Sequence, residues 1–143
     1  MRPTALFFSC VLALLLRPSA AWAAPNWIHI SDSSFAVPGY APATWMIFVD
    51  DNSLYTTKIK GSPDQTLVVW QELRQNIVSK EENVGAEAAN CSQFGVLYTV
   101  VPEHDHAASA PMTTRPGTSG FALWTHACNW YKKKLSGKGL FSN

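Results

Sequence analysis

Residues 119–137 read SGFALWTHACNWYKKKLSG, and this stretch decides the fold. Phe121, Trp124, Cys128, Tyr131 and Leu135 recur at spacings of three and four, which places them on one face of a helix. Ser119 can accept a hydrogen bond from the free amides of the first turn. Lys132, Lys133 and Lys134 fall in the last turns, where positive charge suits the negative end of the helix dipole. Gly137 can adopt the left-handed conformation that ends a helix. Cys128 lies on the apolar stripe, so its thiol must turn toward the rest of the fold.

What Cys128 meets depends on compartment. The chain opens MRPTALFFSCVLALLLRPSAAWAAPNW, with Arg2 ahead of an apolar run at residues 5–16 and Ala21-Trp22-Ala23 behind it. A basic tip, a short apolar core and an A-x-A site are the build of a secretory signal peptide, predicted here over residues 1–23. The apolar run is shorter than the roughly 20 residues needed to span a bilayer. Cys10 sits inside that run, as a small apolar filler lost with it. Residues 24–143 then form a single domain of ordinary size, exported to the periplasm or the cell surface. Without Arg2 and Arg17, nine Lys and Arg face ten Asp and Glu, a net charge of about −1 with His neutral. No basic block beyond Lys132, Lys133 and Lys134 exists, which argues against nucleic acid as a partner. No further long apolar run exists, so no transmembrane segment is expected in the exported part. Aromatic residues throughout, five tryptophans among them, indicate a packed core rather than disorder.

Two cysteines remain after export, Cys91 and Cys128. In an oxidising compartment an even pair closes a disulfide as a rule. That bridge would constrain the unfolded chain by roughly 4 kcal/mol on the loop-entropy model. Two free thiols or a metal site are the alternatives, and two lone cysteines so far apart make a poor zinc motif.

The rest of the chain reads as β. ATWMIFVD at residues 43–50 is apolar on both parities, as a central strand is. Asp51 and Asn52 offer turn chemistry, and SLYTTKIK at 53–60 alternates. A turn at Gly61-Ser62-Pro63-Asp64 leads to QTLVVWQEL at 65–73. These three strands are expected to form an antiparallel meander, with an opening strand at 26–31 and a weaker one at 35–37. Residues 74–88 are polar without a clean period and read as a loop. Residues 90–101 read as a strand carrying Cys91, where a bulge at Gly95 would set Cys91 on the face of Val96, Tyr98 and Val100, and its absence on that of Leu97 and Val101. Residues 102–118 read as a long loop. Strands first and a helix last give an α+β class, an antiparallel β-sheet with a C-terminal helix packed on one face. A bridge between Cys91 and Cys128 would tether the two layers.

Taken in order, the export signal, Trp27, WMIFVDDNSL, VVWQEL, a cysteine ahead of a strand, and ALWTHAC resemble the surface-adhesin protein E family of Gram-negative bacteria. The pattern covers nearly all of residues 24–143. The resemblance implies an antiparallel sheet tied to its C-terminal helix by Cys91 and Cys128. It matches Asp50 and Ser53 to the turn after the aromatic strand, and Trp70 to the tryptophan of the VVW strand. It also implies a non-enzymatic binding domain without a cofactor, meeting a host protein or an envelope component.

Few residues suggest chemistry. In an extended Glu103-His104-Asp105-His106 segment, His104 and His106 point the same way, and imidazoles with carboxylates suit zinc or copper. His29 or His126 would have to supply a third ligand. A solvated loop tip is the plainer account, and a periplasmic metal-binding protein is the alternative function. No G-x-S-x-G and no glycine-rich phosphate loop occur. Nothing selects a catalytic pair among the ten acids. Trp45, Trp70, Trp124 and Trp130 fit a core, and Trp130, off the main stripe and beside Lys133 and Lys134, also suits surface contact.

Overall fold

The computed structural model describes residues 23–35, 38–39, 41–59, 62–101, 106–107 and 110–139. Eight strands and one helix follow in the order β1 (Trp27–Phe35), β2 (Ala43–Asp50), β3 (Tyr55–Ile59), β4 (Ser62–Asn76), β5 (Glu82–Asn90), β6 (Val96–Val101), β7 (His106–Ala107), β8 (Met112–Thr113) and α1 (Ser119–Gly139). Every strand pair is antiparallel, in the order β1-β2-β4-β5-β6-β7, with β3 added on β4 and β8 on β6. The class is α+β, as the strand-then-helix order predicts.

The three strands expected as a meander, β2, β3 and β4, do not form one. β4 is 15 residues long, and both β2 and β3 pair with it along the same edge. Val49 lies opposite Glu72 and Tyr55 opposite Val69, so β3 continues β2 after a jog instead of folding back on it. The jog is a 3₁₀ turn at Asp51–Ser53. Asp50 Oδ1 accepts from the Asn52 amide at 3.0 Å and the Asn26 amide at 2.8 Å. Ser53 Oγ donates to Asp50 O and accepts from the Gln71 amide, pinning the turn to β4. Short polar side chains that bond local backbone favour this kind of interruption.

Residues 74–76 and 82–88 are strand rather than loop, joined by a turn at 77–81. β4 and β5 form a hairpin from the pair Leu67 and Asn90 to the pair Gln75 and Glu82. Its polar residues pair with one another, Gln75 Nε2 donating to Glu82 Oε1 at 2.7 Å, which erases the apolar alternation that betrays a half-buried strand. Asn76 Oδ1 shapes the turn by accepting from the amides of Val78 and Ser79.

Cys91 is likewise not within a strand. β5 ends at Asn90, a turn occupies residues 91–95, and β6 starts at Val96. Gly95 closes this turn at φ +70° and makes no bulge. A side chain there would also collide with Thr114, whose carbonyl oxygen lies 2.8 Å from an ideal Cβ. The expected loop at 102–118 contributes β7 and β8, both paired with β6.

α1 spans 21 residues and runs through Gly137, which therefore does not end it. Thr118 caps it, its Oγ1 accepting from the Phe121 amide at 3.2 Å. Ser119 Oγ is turned instead to β1, donating to Asp32 O at 3.0 Å. The helix touches β1 as well as β4, β5 and β6, so the sheet curls around it. Its deepest residues are Leu123, Ala127 and Cys128, packed on Ile47, Val49, Leu54, Val68, Trp70, Ala89 and Leu97. Trp124, Trp130 and Tyr131 flank that core, while Leu135 lies half exposed at a hollow shared with β3. Cys91 and Cys128 are joined, their Cα atoms 5.5 Å apart, and tether the end of β5 to the middle of α1. Among the described residues no helix is long and apolar enough to cross a membrane.

Candidate functional site

Side chains alternate across a strand, so β4 presents Val68 and Trp70 to the helix and Leu67, Val69 and Gln71 to the opposite face. On that opposite face Leu67, Val69, Ala88 and Val100 form a second buried apolar cluster, flanked by Ile59, Ala86 and Tyr98. No helix of the described residues covers it. A groove of about 740 Å³ runs over this face, lined by Tyr55, Val69, Gln71, Ala86 and Val100. Register explains the floor. Ala86 pairs with Gln71 on one side and Val100 on the other, so a small side chain sits among larger ones. Tyr55, opposite Val69, is 43% exposed at the rim. The wall is built by the 3₁₀ turn, where Asn52 Nδ2 donates to Ala24 O at 2.7 Å and draws residues 24–25 alongside. Asp50 and Ser53, matched above as turn landmarks, thus hold one side of the groove. A concave apolar trough with a few polar groups at its edge is the general form of a binding site.

A charged cluster lies on the helix side of the sheet. Glu72, Arg74 and Glu87 project from adjacent strands, with Glu87 opposite Trp70. Arg74 Nε donates to Glu72 Oε1 and Arg74 Nη2 to Glu87 Oε1, the latter at 3.0 Å. The Glu72 side chain is 4% exposed and that of Glu87 16%. Burial, followed by the charge of Glu72, pushes the Glu87 carboxyl up to about 7, against a partial opposing pull from Arg74. For Arg74, desolvation opposes the charge, but the two carboxylates outweigh it and its pKa rises. The Oε2 atoms of Glu72 and Glu87 are sealed from solvent and receive no protein donor. Burial therefore keeps the Glu87 carboxyl protonated up to about neutral pH. Glu72, Arg74 and Glu87 border a hollow of about 400 Å³.

The other candidates separate. Glu103, His104 and Asp105 lie outside the described residues, as does the side chain of His106 in β7. His29 and His126, the candidate third ligands, each face a carboxylate. His29 Nε2 is 2.8 Å from Asp32 Oδ1, and His126 Nε2 is 2.7 Å from Asp51 Oδ1. Trp130 is half-buried on the core with Lys134 Nζ 4.9 Å above its ring. Apart from Asp50 and Ser53 at its wall, the groove residues and the acid pair were not singled out from sequence. The alternation through VVWQEL does place Val69 and Gln71 opposite Trp70 and Glu72, but the partners across the sheet depend on register.

Comparison with protein-family models, with curated proteins and with solved structures finds no match.

Proposed function

We propose that the chain is an exported, non-enzymatic binding domain, and that a partner protein of the envelope or the host surface seats an apolar segment in the groove opposite the helix. The observation that carries this reading is the second apolar face of the sheet, grooved over about 740 Å³ and left without a covering helix among the described residues. A concave apolar trough with an exposed aromatic rim, here Tyr55, is a common form of interaction site. The leader-like residues 1–23 support export, and the bridge between Cys91 and Cys128 accords with an oxidising compartment. The resemblance to the surface-adhesin protein E family favours a protein ligand. The carboxyl pair bridged by Arg74, Glu72 and Glu87, keeps one oxygen of each shut away from solvent, which favours a binder over a hydrolase.

The test is recovery of partners from envelope and host-matrix extracts with the wild-type protein and Ala86→Arg, which fills the groove floor. The expected result is a discrete partner retained by the wild type and lost by the variant, with the disulfide and thermal unfolding of both preserved. A partner held equally by both, or turnover in a broad hydrolase screen abolished by one Ser or Glu substitution, would contradict the reading.

A further inference from the structure

α1 carries no Asp or Glu over its 21 residues, and its last turns hold Lys132, Lys133 and Lys134 in succession, all exposed. One lysine of the sheet joins them. Lys58 of β3 and Lys134 of α1 both line a shallow hollow of about 200 Å³ between the helix and the sheet, together with Thr56, Thr66, Tyr131 and Leu135. Both ammonium groups are held in place. Lys58 Nζ donates to Thr66 Oγ1 at 2.6 Å, and Lys134 Nζ rests over the Trp130 ring. Among the described residues neither has a carboxylate within 4.0 Å. Leu135, on the same turn, is 51% exposed and is the large hydrophobic residue that α1 leaves in the open.

We propose that this seam rests on an anionic phospholipid surface, with the ammonium groups of Lys58 and Lys134 against headgroup phosphates, Lys132 and Lys133 adding positive charge within a Debye length, and Leu135 entering the interface. The charge is complementary, unneutralised and gathered from two elements, so it exceeds what the helix dipole alone calls for. An anionic membrane surface draws each nearby lysine by roughly a fivefold factor in affinity, within a Debye length of the surface. Leu135 and the ring of Tyr131 decide between a membrane and a soluble polyanion. Apolar surface set beside lysines gains by entering the headgroup boundary, whereas a phosphate or sulfate polymer has no use for it. This inference does not depend on the groove, which lies on the other face of the sheet.

The test uses protein recovered after export, sedimented with vesicles of phosphatidylglycerol and phosphatidylcholine or of phosphatidylcholine alone. Binding to the mixed vesicles only is expected, with release by high salt. The triple variant Lys132→Gln, Lys133→Gln, Lys134→Gln should bind about a hundredfold more weakly, and Lys58→Gln about fivefold. Leu135→Ser should weaken vesicle binding and leave binding to inorganic polyphosphate unchanged. All variants are exposed substitutions, and their thermal unfolding reports that they remain folded. No binding, equal binding to neutral vesicles, or indifference to the triple variant would overturn the proposal. Polyphosphate binding combined with vesicle binding indifferent to Leu135→Ser would do so as well, by assigning the seam to a soluble polyanion.

Discussion

The two faces of the sheet are built from the same strands and end differently. One face receives Leu123, Ala127 and Cys128 and is closed by α1. The other gathers Leu67, Val69, Ala88 and Val100 and receives no helix among the described residues. β4 serves both, Val68 and Trp70 on one side and Leu67 and Val69 on the other. The contrast teaches that burial of a central strand does not show which face is structural and which is free to bind. The covered face contains the covalent tether and Trp70, the largest fully buried side chain, so it should govern stability. The grooved face should tolerate change and govern recognition.

The largest expected effect lies on the covered face. Replacing Cys91 and Cys128 together by Ser should cost about 4 kcal/mol, read as a fall in the denaturant midpoint. A loss below about 1 kcal/mol would mean that packing alone holds the helix. Leu123→Ala, in the same layer, should cost about 3 kcal/mol through lost burial and a cavity. Val100→Ala, at the groove, should cost about half as much, since fewer methyl groups leave and the site opens to the trough. Equal losses at Leu123 and Val100 would erase the distinction between the faces.

A smaller effect concerns pH. Glu87 has a folded pKa of about 7 against 4.5 for the ordinary side chain, so the folded state holds its proton more tightly. Its contribution to stability is therefore complete below pH 4.5 and is lost as pH rises through 7. The loss should amount to about 2 kcal/mol, discounted for its partial solvent contact and its coupling to Glu72. Glu87→Gln, which retains the hydrogen-bonding shape without the charge, should flatten this slope and raise stability at pH 8. An unchanged slope in the variant would place the titration elsewhere. The smallest effect is at the helix start, where Thr118→Ala should cost about 1 kcal/mol by thermal melting and exceed the cost of the cap loss expected from Ser119→Ala.

Where the sequence is apolar, the fold was legible. The stripe from Phe121 to Tyr131 announces α1, the run at 43–50 announces a central strand, and the even pair of cysteines beyond residue 23 announces the bridge between Cys91 and Cys128. Where side chains satisfy one another across strands, it was not. Gln75 with Glu82, and Arg74 with Glu72 and Glu87, make a hairpin whose polar surface reads as a loop. Asp50 and Ser53 have turn chemistry, but whether the chain then folds back or continues along β4 is set by their bonds to Asn26 and Gln71, far away in sequence. The groove was illegible for the same reason. Tyr55, Ala86 and Val100 become neighbours only once the register of four strands is fixed.

The most direct measurement is site-specific photocrosslinking in envelope and host-matrix extracts, with a photoreactive side chain placed at Ala86 on the groove floor or at exposed Asn129 on α1. The account predicts a discrete adduct from position 86, suppressed by an excess of unlabelled protein, and none from position 129. An adduct from 129 alone, or from neither position, would contradict the assignment of recognition to the uncovered face.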